Sequence, residues 1–359
     1  MKILTVVGAR PQFIKAAVVS RELRKTHDEV LVHTGQHYDY NMSDIFFEQL
    51  DLPKPDYNTG ISGGTHGKMT GQMLMALENI MIREKPEGVL LYGDTNSTLA
   101  GALAAVKLNI PVIHVEAGNR LGTLSNPEEV NRILADHVST LKLYCTESAF
   151  FFLKKEGISD NSFFVGDPMF DAFKYYSKKL GHEPPEVLKS IYNEEVELPA
   201  KFNYMTCHRQ ENTANIETLH NILSAMEELD EKCVYPVHPR NLDSIDYLIK
   251  EYNYKNIIFS KPVGYLMSLY LVNNSNVIVT DSGGLQREAF FAEKQCITVF
   301  DYISWPETMI NYRNQLSKPD KNMILEKLSN NQKIVKTFPF GNGDSSKKIV
   351  NYIEKYINV

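Results

Sequence analysis

The chain has 359 residues, of which 43% are hydrophobic and 23% charged, and its formal net charge is -6. This length exceeds what one ordinary hydrophobic core organises, so two domains are expected. The acidic balance gives no basic footprint, which disfavours nucleic acid as a partner. No apolar run reaches the roughly 18 residues of a membrane span, and the N-terminus lacks the apolar stretch of a signal peptide. We therefore expect a cytoplasmic protein with no membrane association.

Short apolar strands alternate with amphipathic helices in the first half of the chain. The alternation is typical of βαβ units around a parallel sheet. The predicted strands are residues 2–7, 30–34, 88–92, 111–115, 141–145 and 163–165. The predicted helices are residues 12–25, 67–84, 97–107 and 126–137.

Residues 175–200 interrupt this alternation, because they are rich in Lys, Glu and Pro, and they are predicted as a surface connection plus one helix. A second series of strands follows at residues 202–206, 233–237, 256–259, 276–280 and 296–300. Residues 345–357 are predicted as one amphipathic helix. The sequence therefore predicts an α/β protein built from two Rossmann-like domains with a central cleft.

Two carboxylates follow neighbouring strands of the first half. Asp94 comes after strand 88–92, and Glu116 comes directly after strand 111–115. Ligands of open α/β sheets bind beyond the carboxyl ends of the strands, so both carboxylates stand where chemistry is expected. Asp94 is equally well interpreted as the cap of the following helix.

Glu128 and Glu129 open the next predicted helix, where the helix dipole stabilises acidic side chains. Arg132 follows them by four and three residues, a spacing that predicts an ion pair within the helix. With Asp94 and Glu116, Glu128 completes a plausible carboxylate cluster, and such clusters separate the proton affinities of their members as acid and base chemistry requires.

Cations and glycines at other strand ends indicate an anionic ligand. The segment GARPQFIK at 8–15 lacks the GxGxxG dinucleotide fingerprint, but Arg10 and Lys15 lie around a helix N-terminus that favours an anion. The alternative is that both are solvated cations of an ordinary loop. His208 and Arg209 follow the first strand of the second half and suit a diphosphate or a leaving group, although a structural histidine is the alternative. His238 repeats this pattern one strand later.

Asp281-Ser282-Gly283-Gly284 is the most specific local motif. The glycines let the backbone approach phosphate oxygens, and Ser282 adds a hydroxyl donor at a helix start. Glu288 falls one turn beyond Gly284 on the same helix face, where a carboxylate can accept both hydroxyls of a ribose. A purely structural Gly-rich turn is the alternative. Together, the acids and the diphosphate-type motifs indicate an enzyme that acts on a nucleotide-linked substrate.

Taken together, these motifs resemble the non-hydrolysing UDP-N-acetylglucosamine 2-epimerase family. The resembling segments are GARPQFIK at 8–15, TGQH at 34–37, YGDTNSTLAG at 92–101, HVEAG at 114–118, NPEEVNR at 126–132, HR at 208–209, HP at 238–239 and TDSGGLQREA at 280–289. The resemblance implies a glycosyltransferase-B-like fold with UDP in the central cleft. It places the catalytic carboxylates in a first domain of residues 1–168 plus 340–359, and UDP binding in a second domain of residues 169–339. It also implies a homodimer, a UDP-sugar substrate and a place in surface polysaccharide biosynthesis.

The implied reaction inverts C2 of a UDP-2-acetamido sugar without a cofactor. A base removes the C2 proton while UDP leaves by anti elimination, and UDP then adds back to a glycal-type intermediate as the proton returns on the opposite face. The implied catalytic residues are Asp94, Glu116, Glu128 and His208. The implied substrate-binding residues are Arg10, Lys15, Arg132, Arg209, His238, Ser282, Gly283, Gly284 and Glu288.

Two segments depart from the family pattern. Asn119-Arg120 stands where members usually carry Leu-Arg, and the loop from Gly118 to Pro127 is shorter than usual. Residues 300–307, FDYISWPE, lack the family's Arg and Thr-Glu, which concerns the sugar end of the pocket more than the UDP end. The N-terminal half resembles the branch that acts on UDP-2,3-diacetamido-2,3-dideoxyglucuronate, so the sugar is either N-acetylglucosamine or this uronate.

Other functions remain open at this point. A hydrolysing 2-epimerase would release free UDP, a retaining glycosyltransferase of the same fold would need an acceptor, and a UDP-sugar sensor would need no catalysis. Some family members are activated by substrate at a second site, and the relevant motifs here contain Gln36, His37, Arg209 and His238.

Cysteine and histidine spacing predicts no metal site. The four cysteines, at positions 145, 207, 233 and 296, lack CxxC spacing and are expected to be buried free thiols. Cys207 is the exception to watch, because it precedes His208. His33, His37 and His66 are scattered over loops, so no structural metal is expected.

Overall fold

The computed structural model describes residues 1–36, 47–303, 305–330 and 337–357. The strands within these ranges are β1 (Lys2–Val7), β2 (Asp28–His33), β3 (Tyr57–Asn58), β4 (Gly88–Tyr92), β5 (Val112–Val115), β6 (Leu141–Tyr144), β7 (Ser162–Phe164), β8 (Leu188–Lys189), β9 (Glu195–Val196), β10 (Phe202–Thr206), β11 (Lys232–Pro236), β12 (Ile257–Ser260), β13 (Val277–Thr280), β14 (Gln295–Val299) and β15 (Asn314–Ser317).

The α-helices of the same ranges lie between these strands, and two 3-10 segments, Pro239–Asn241 and Pro306–Tyr312, accompany them. The helices are α1 (Arg10–Leu23), α2 (His66–Glu84), α3 (Asn96–Lys107), α4 (Pro127–Val138), α5 (Glu147–Lys155), α6 (Pro168–Lys179), α7 (Gln210–Thr213), α8 (Ile216–Glu227), α9 (Leu242–Tyr252), α10 (Tyr265–Asn274), α11 (Gly283–Phe291), α12 (Lys321–Ser329) and α13 (Ser345–Ile357).

The chain forms two compact units, one of Met1–Lys174 with Phe338–Val359 and one of Tyr175–Thr337. The sequence placed the corresponding divisions after residue 168 and before residue 340. The assignment of catalysis to the first domain and of UDP binding to the second stays a prediction.

The first unit contains a parallel sheet whose described strands have the order β3-β2-β1-β4-β5-β6-β7. The direction of the strand order reverses between β1 and β4, which is the topological switch point where doubly wound sheets bind ligands. The apolar core on one face of this sheet includes Leu4, Val6, Leu91 and Ala100, all buried. The carboxyl ends of β1, β4 and β5 therefore form the edge where a site is expected.

The C-terminal helix α13 belongs to this first unit and packs against α1 and β6. Its first backbone N–H groups would lack partners inside the helix. The buried carboxylate of Asp171 accepts them, from Ser345 at 3.0 Å and Ser346 at 2.8 Å. Phe163 stacks on Tyr352 with a centroid separation of 4.4 Å. The predicted helix at 345–357 is thus confirmed.

The second unit repeats the architecture, with described strands in the order β12-β11-β10-β13-β14-β15 and every pairing parallel. Its switch point lies between β10 and β13, which directly precede Cys207 and Asp281. The prediction of two Rossmann-like parallel sheets is confirmed. Within the described residues, no helix is long and apolar enough to cross a lipid bilayer.

The structure corrects the prediction for residues 175–200. The helix there, α6, begins at Pro168, because the Asp167 carboxylate accepts the Met169 N–H at 2.8 Å and Pro168 is suited to a first helical turn. The remainder contains the antiparallel pair β8 and β9. Strand β15 was not predicted, because its sequence, Asn-Gln-Leu-Ser, has little strand propensity and is specified by burial beside β14.

Candidate active site

The loop after β1 is fastened to the end of β4 by one buried glutamine. Gln12 accepts hydrogen bonds from the backbone N–H groups of Gly8 at 2.8 Å and Ala9 at 3.1 Å. Its amide donates to the Tyr92 carbonyl at 2.7 Å. This contact fixes the first turn of α1 at the switch point of the first sheet. Arg10 is the first residue of that helix and is half-buried.

Asp94 is not the cap of the following helix. Helix α3 begins at Asn96, and Thr95 is its N-cap, accepting the Thr98 N–H. The Asp94 side chain instead forms an ion pair with Arg132 on α4, and its backbone carbonyl accepts a hydrogen bond from the Asn131 amide at 3.0 Å. Of the two interpretations of Asp94, the structure rules out the cap.

Glu116 has a backbone conformation that is unusual for a residue with a side chain. Its φ is 72°, in the left-handed region that costs roughly 1–3 kcal/mol outside glycine and that clusters at functional sites. The buried ammonium of Lys15 forms an ion pair with its carboxylate. Lys15 is therefore not a solvated cation of an ordinary loop. Its charge is directed to Glu116 at the end of β5.

The two glutamates that open α4 have different environments. Glu129 is buried and accepts the N–H groups of Leu121 and Gly122, each at 2.9 Å. It also accepts from Arg132 at 3.0 Å, so the predicted intrahelical pair is observed with Glu129. Glu128 is exposed. Glu129 thus stabilises the short loop before α4, whereas Glu128 lies at an exposed position.

The charge on Arg132 is stabilised by its surroundings. Burial acts to lower the pKa of this guanidinium, but the charges of Asp94, Glu129 and Glu128 raise it above the ordinary value. The guanidinium of Arg132 therefore links the carboxylate of Asp94, after β4, to that of Glu129 on α4.

A group of potential metal ligands lies at the ends of β5, β6 and β7. Glu116, Cys145 and Asp167 are all buried, and each offers one ligand atom within 4.8 Å of the others. The Lys15 ammonium contacts the same Glu116 carboxylate, and this positive charge opposes a bound cation. That the chain holds no metal stays a prediction.

In the second unit, Asp281 organises the end of β10. Its buried carboxylate accepts the backbone N–H groups of His208 at 2.9 Å and Arg209 at 2.8 Å, and the Asn212 amide at 3.2 Å. The His208 ring lies 3.2 Å from it through Nδ1. Burial acts to raise the pKa of Asp281, but the hydrogen bond and charge of His208 and these N–H groups lower it below its ordinary value. The sequence showed Asp281 within a motif but did not reveal this role.

Arg209 is held by the segment that departs from the family pattern. Its guanidinium carbon lies 4.6 Å from the Phe300 ring centroid and 5.7 Å from that of Tyr302, and it contacts the Tyr302 hydroxyl. Its Nε donates to the Asp281 carbonyl at 2.9 Å. A second arginine, Arg287, lies 4.1 Å from the ring of Trp305. Aromatic rings in this segment thus contact the guanidinium groups of two arginines. Ser304 of the same segment lies outside the described residues.

The Gly-rich motif opens helix α11 as predicted. Ser282 caps the helix, accepting the Leu285 N–H at 3.3 Å, so its own hydroxyl proton remains available to a further acceptor. A Cβ built on Gly283 would come no closer than 3.6 Å to another side chain, and one on Gly284 no closer than 3.7 Å. The packing of the chain therefore does not require glycine at either position. Two glycines at the start of a helix let an anionic group approach its backbone N–H groups closely.

The remaining predicted residues lie in three settings. His238 stacks on His208 with ring centroids 5.9 Å apart, and its Nδ1 accepts the Arg240 N–H at 3.2 Å. Glu288 is buried on α11. Gln36 accepts the Ser97 N–H at 3.1 Å, whereas His37 lies outside the described residues.

All four cysteines are buried free thiols, as expected. Burial and the nearby Asp281 carboxylate raise the pKa of the Cys207 thiol well above its ordinary value. A reactive thiolate at Cys207 is therefore disfavoured.

Comparison with known proteins gives a consistent result over the full length of the chain. The sequence profile of the family described as UDP-N-acetylglucosamine 2-epimerase matches residues 21–354. A Methanococcus maripaludis protein named UDP-N-acetylglucosamine 2-epimerase homolog is 45% identical over 358 residues, which cover 98% of this chain and 99% of that protein. The UDP-2,3-diacetamido-2,3-dideoxy-D-glucuronate 2-epimerase of Pseudomonas aeruginosa is 44% identical over 368 residues, which cover 99% of this chain and 100% of that protein.

A solved structure agrees with these sequence relatives. The crystal structure of Methanocaldococcus jannaschii UDP-GlcNAc 2-epimerase in complex with UDP-GlcNAc and UDP has a TM-score of 0.84 and 38% identity to this chain. The match covers 99% of this chain and 100% of that one. The predicted α/β class of glycosyltransferase-B type is confirmed.

Proposed function

Because the chain belongs to the UDP-N-acetylglucosamine 2-epimerase family, we propose that it inverts C2 of a UDP-2-acetamido sugar. The observation that carries this proposal is the pair of carboxylates at the ends of β4 and β5. Asp94 is paired with Arg132, and Glu116 is paired with Lys15. Both carboxylates follow strands at or beside the switch point, where doubly wound folds bind their ligands.

We propose that the carboxylates perform the proton transfers at C2. A weakly acidic C2–H needs a general base, and return of the proton on the opposite face needs an acid on that side. As the C2 proton leaves, the bond from C1 to the UDP oxygen breaks with its electron pair, and a C1=C2 double bond forms. UDP then re-forms the bond at C1, and a proton adds to C2. Asp94, Glu116 and Glu128 are the proposed acid and base groups of this cycle.

We assign the diphosphate and its charge to cations and N–H groups. Negative charge develops on the departing UDP, and donors aimed at that charge are what lower the barrier. Arg10, Lys15, His208 and Arg209 are the proposed side-chain donors, with Arg132 and His238 in the substrate-binding set. Ser282, Gly283 and Gly284 are the proposed cradle for the diphosphate, and Glu288 is the proposed ribose acceptor. No cofactor takes part in this cycle.

Proton NMR in deuterated water tests the proposal, with UDP-N-acetylglucosamine and UDP-2,3-diacetamido-2,3-dideoxyglucuronate in parallel. Deuterium entering C2, with a second anomeric UDP-sugar signal, is the expected result. The faster substrate identifies the sugar. Free UDP with a reducing sugar would indicate the hydrolysing alternative. No change with either substrate, despite saturable UDP binding, would favour an acceptor-dependent transferase or a sensor.

We further propose that the protein is a homodimer formed through the first unit. Met75 and Ile82 are apolar but exposed. They lie seven residues apart on α2, a spacing that places them on the same face of the helix. Leu134 is 42% exposed on α4, and α3 packs between α2 and α4. Light scattering after size exclusion is expected to give twice the chain mass. Ile82→Glu is expected to reduce the dimeric fraction, and a monomeric wild type would contradict the proposal.

A cytoplasmic location and a place in surface polysaccharide biosynthesis stay predictions.

A further inference from the structure

The turns that carry Asp94 and Glu116 share one buried support. His114 lies on β5, one residue before the end of the strand, and has no exposed surface. Its Nε2 lies 2.6 Å from the carbonyl oxygen of Gly93, which directly precedes Asp94. Its Nδ1 lies 2.7 Å from the Asp136 carboxylate on α4. One imidazole therefore joins the end of β4 to helix α4.

The same carboxylate supports the turn after Glu116. The second oxygen of Asp136 accepts the N–H of Gly118 at 2.9 Å and an N–H of Arg120 at 2.7 Å. The turn requires glycine at this position, because Gly118 has a φ of 84° and a Cβ there would lie 2.5 Å from the carbonyl oxygen of Ala149. A displacement of Asp136 would therefore displace the backbone that presents Glu116.

The hydrogen bonds define how many protons the pair carries. A backbone carbonyl only accepts, so the Nε2 facing Gly93 must carry a proton. Asp136 accepts two N–H donors on its other oxygen, as an ionised carboxylate does. Burial acts to raise the pKa of Asp136, but hydrogen bonds and charges from His114 and Arg120 lower it. Both ring nitrogens of His114 therefore face hydrogen-bond acceptors, Nδ1 the carboxylate of Asp136 and Nε2 the carbonyl of Gly93.

Further charged groups lie around the pair. Arg120 donates from Nε and Nη2 to both oxygens of Glu156 at 2.7 Å each. Glu156 also lies 3.3 Å from His137. Lys142 on β6 is a further cation near Asp136: burial lowers the pKa of its ammonium, and the charge of Asp136 acts in the opposite direction.

We propose that His114 and Asp136 form an imidazolium–carboxylate bridge that positions Asp94 and Glu116 for proton transfer. The proposal rests on the proposed epimerase function, and both residues are positioning residues, since neither is placed against substrate. Asn131 and Arg132, from the same helix as Asp136, fix the other side of Asp94. Helix α4 and His114 thus set the geometry of one catalytic carboxylate from two directions, and Asp136 also anchors the turn of the second.

Two substitutions at one position separate geometry from charge. Asp136→Asn keeps an oxygen for Gly118 and Arg120, and its amide can donate to Nδ1 of a neutral ring that still donates to Gly93. Asp136→Ala removes the bridge. Because displacements near 1 Å can cost about a hundredfold in rate, Asp136→Ala is expected to lower kcat by about that factor. Its KM and its affinity for UDP are expected to stay within a few-fold of the wild type, and Asp136→Asn should recover most of the lost kcat.

Nitrogen-15 NMR of labelled histidines tests the bridge without substrate. At about pH 7, His114 is expected to carry two N–H groups in the wild type and a single N–H group in Asp136→Asn. A free histidine is mostly neutral at this pH. His114→Gln identifies the signal by its loss. A single N–H in the wild type would overturn the proposal, as would full kcat in a folded Asp136→Ala or an equal loss of kcat in Asp136→Asn. Failure of C2 exchange in the wild type would instead contradict the proposed function, which the nitrogen spectrum does not depend on.

Discussion

The two sheets use the acids at or beside their switch points in different ways. In the first unit, Asp94 and Glu116 each contact a cation through the side chain and remain the predicted reacting groups. In the second unit, Asp281 is almost fully buried and directs its oxygens to the N–H groups of His208 and Arg209. The same element of the fold therefore carries proposed reacting groups in one unit and a structural anchor in the other.

The difference shows that a carboxylate at a strand end is not by itself a catalytic signal. What separates Asp94 from Asp281 is the type of donor. The Asp94 carboxylate contacts the side chain of Arg132, whereas the Asp281 carboxylate also accepts two backbone N–H groups, which fix its position in the fold. The predictions below test this distinction.

Substituting Asp94→Asn should have the largest effect. Asparagine preserves size and can still contact Arg132, but it cannot transfer a proton, so turnover should fall by about a thousandfold. UDP affinity should change little. C2 exchange followed by NMR measures the turnover, and titration calorimetry with UDP measures the affinity.

The matched control is Asp28→Asn, which alters an exposed acid of the same unit and should leave turnover unchanged. Turnover of Asp94→Asn within a few-fold of the wild type would show that Asp94 is not a reacting group.

The next comparison uses two adjacent residues, Glu128 and Glu129. Glu128→Gln should reduce kcat by about a hundredfold, because a proposed general acid or base is lost, and should lower stability less than a change at the buried Glu129. Glu129→Gln should lower stability by about 1–3 kcal/mol, because the buried acceptor of Leu121 and Gly122 loses its charge. Kinetics and thermal unfolding of both variants check this. The reverse pattern would exchange the two assignments.

Sequence reasoning located most strands but did not resolve the environment of each proposed site residue. Strand and helix alternation depends on local periodicity, so β10 and α13 were predicted with their observed bounds. Whether Asp94 or Thr95 caps the following helix depends on a shift of one residue in where the helix begins. The separate environments of Glu128 and Glu129, and the tie between His114 and Asp136, depend on contacts that no local pattern encodes. The only sequence signal for the contact between His114 and Asp136 was a histidine within an apolar strand.

The pH dependence of stability tests the anchor in the second unit. The folded pKa of Asp281 lies below its unfolded value, so its contribution is present above about pH 3.9 and is lost as the pH falls through the lower folded pKa. Asp281→Asn should lower stability by about 1–3 kcal/mol at neutral pH. The difference from the wild type should shrink in acid.

Urea unfolding of the whole chain at neutral pH and near pH 3 provides the measurement, with exposed Asp243→Asn as the control. A difference that is equal at both pH values would show that the charge of Asp281 does not stabilise the fold.

The smallest expected effect concerns the aromatic rings around Arg209. A cation held over a partly exposed ring contributes roughly 0.5–1 kcal/mol, so Tyr302→Leu should weaken UDP binding by no more than about fivefold if Arg209 contacts the diphosphate. Tyr302→Phe keeps the ring and loses the hydroxyl contact, so its effect should be smaller still. Tyr312→Leu alters an exposed tyrosine of the same unit and should have none. Equal UDP affinity in all three variants would mean that Asp281 and Phe300 orient Arg209 without help from Tyr302.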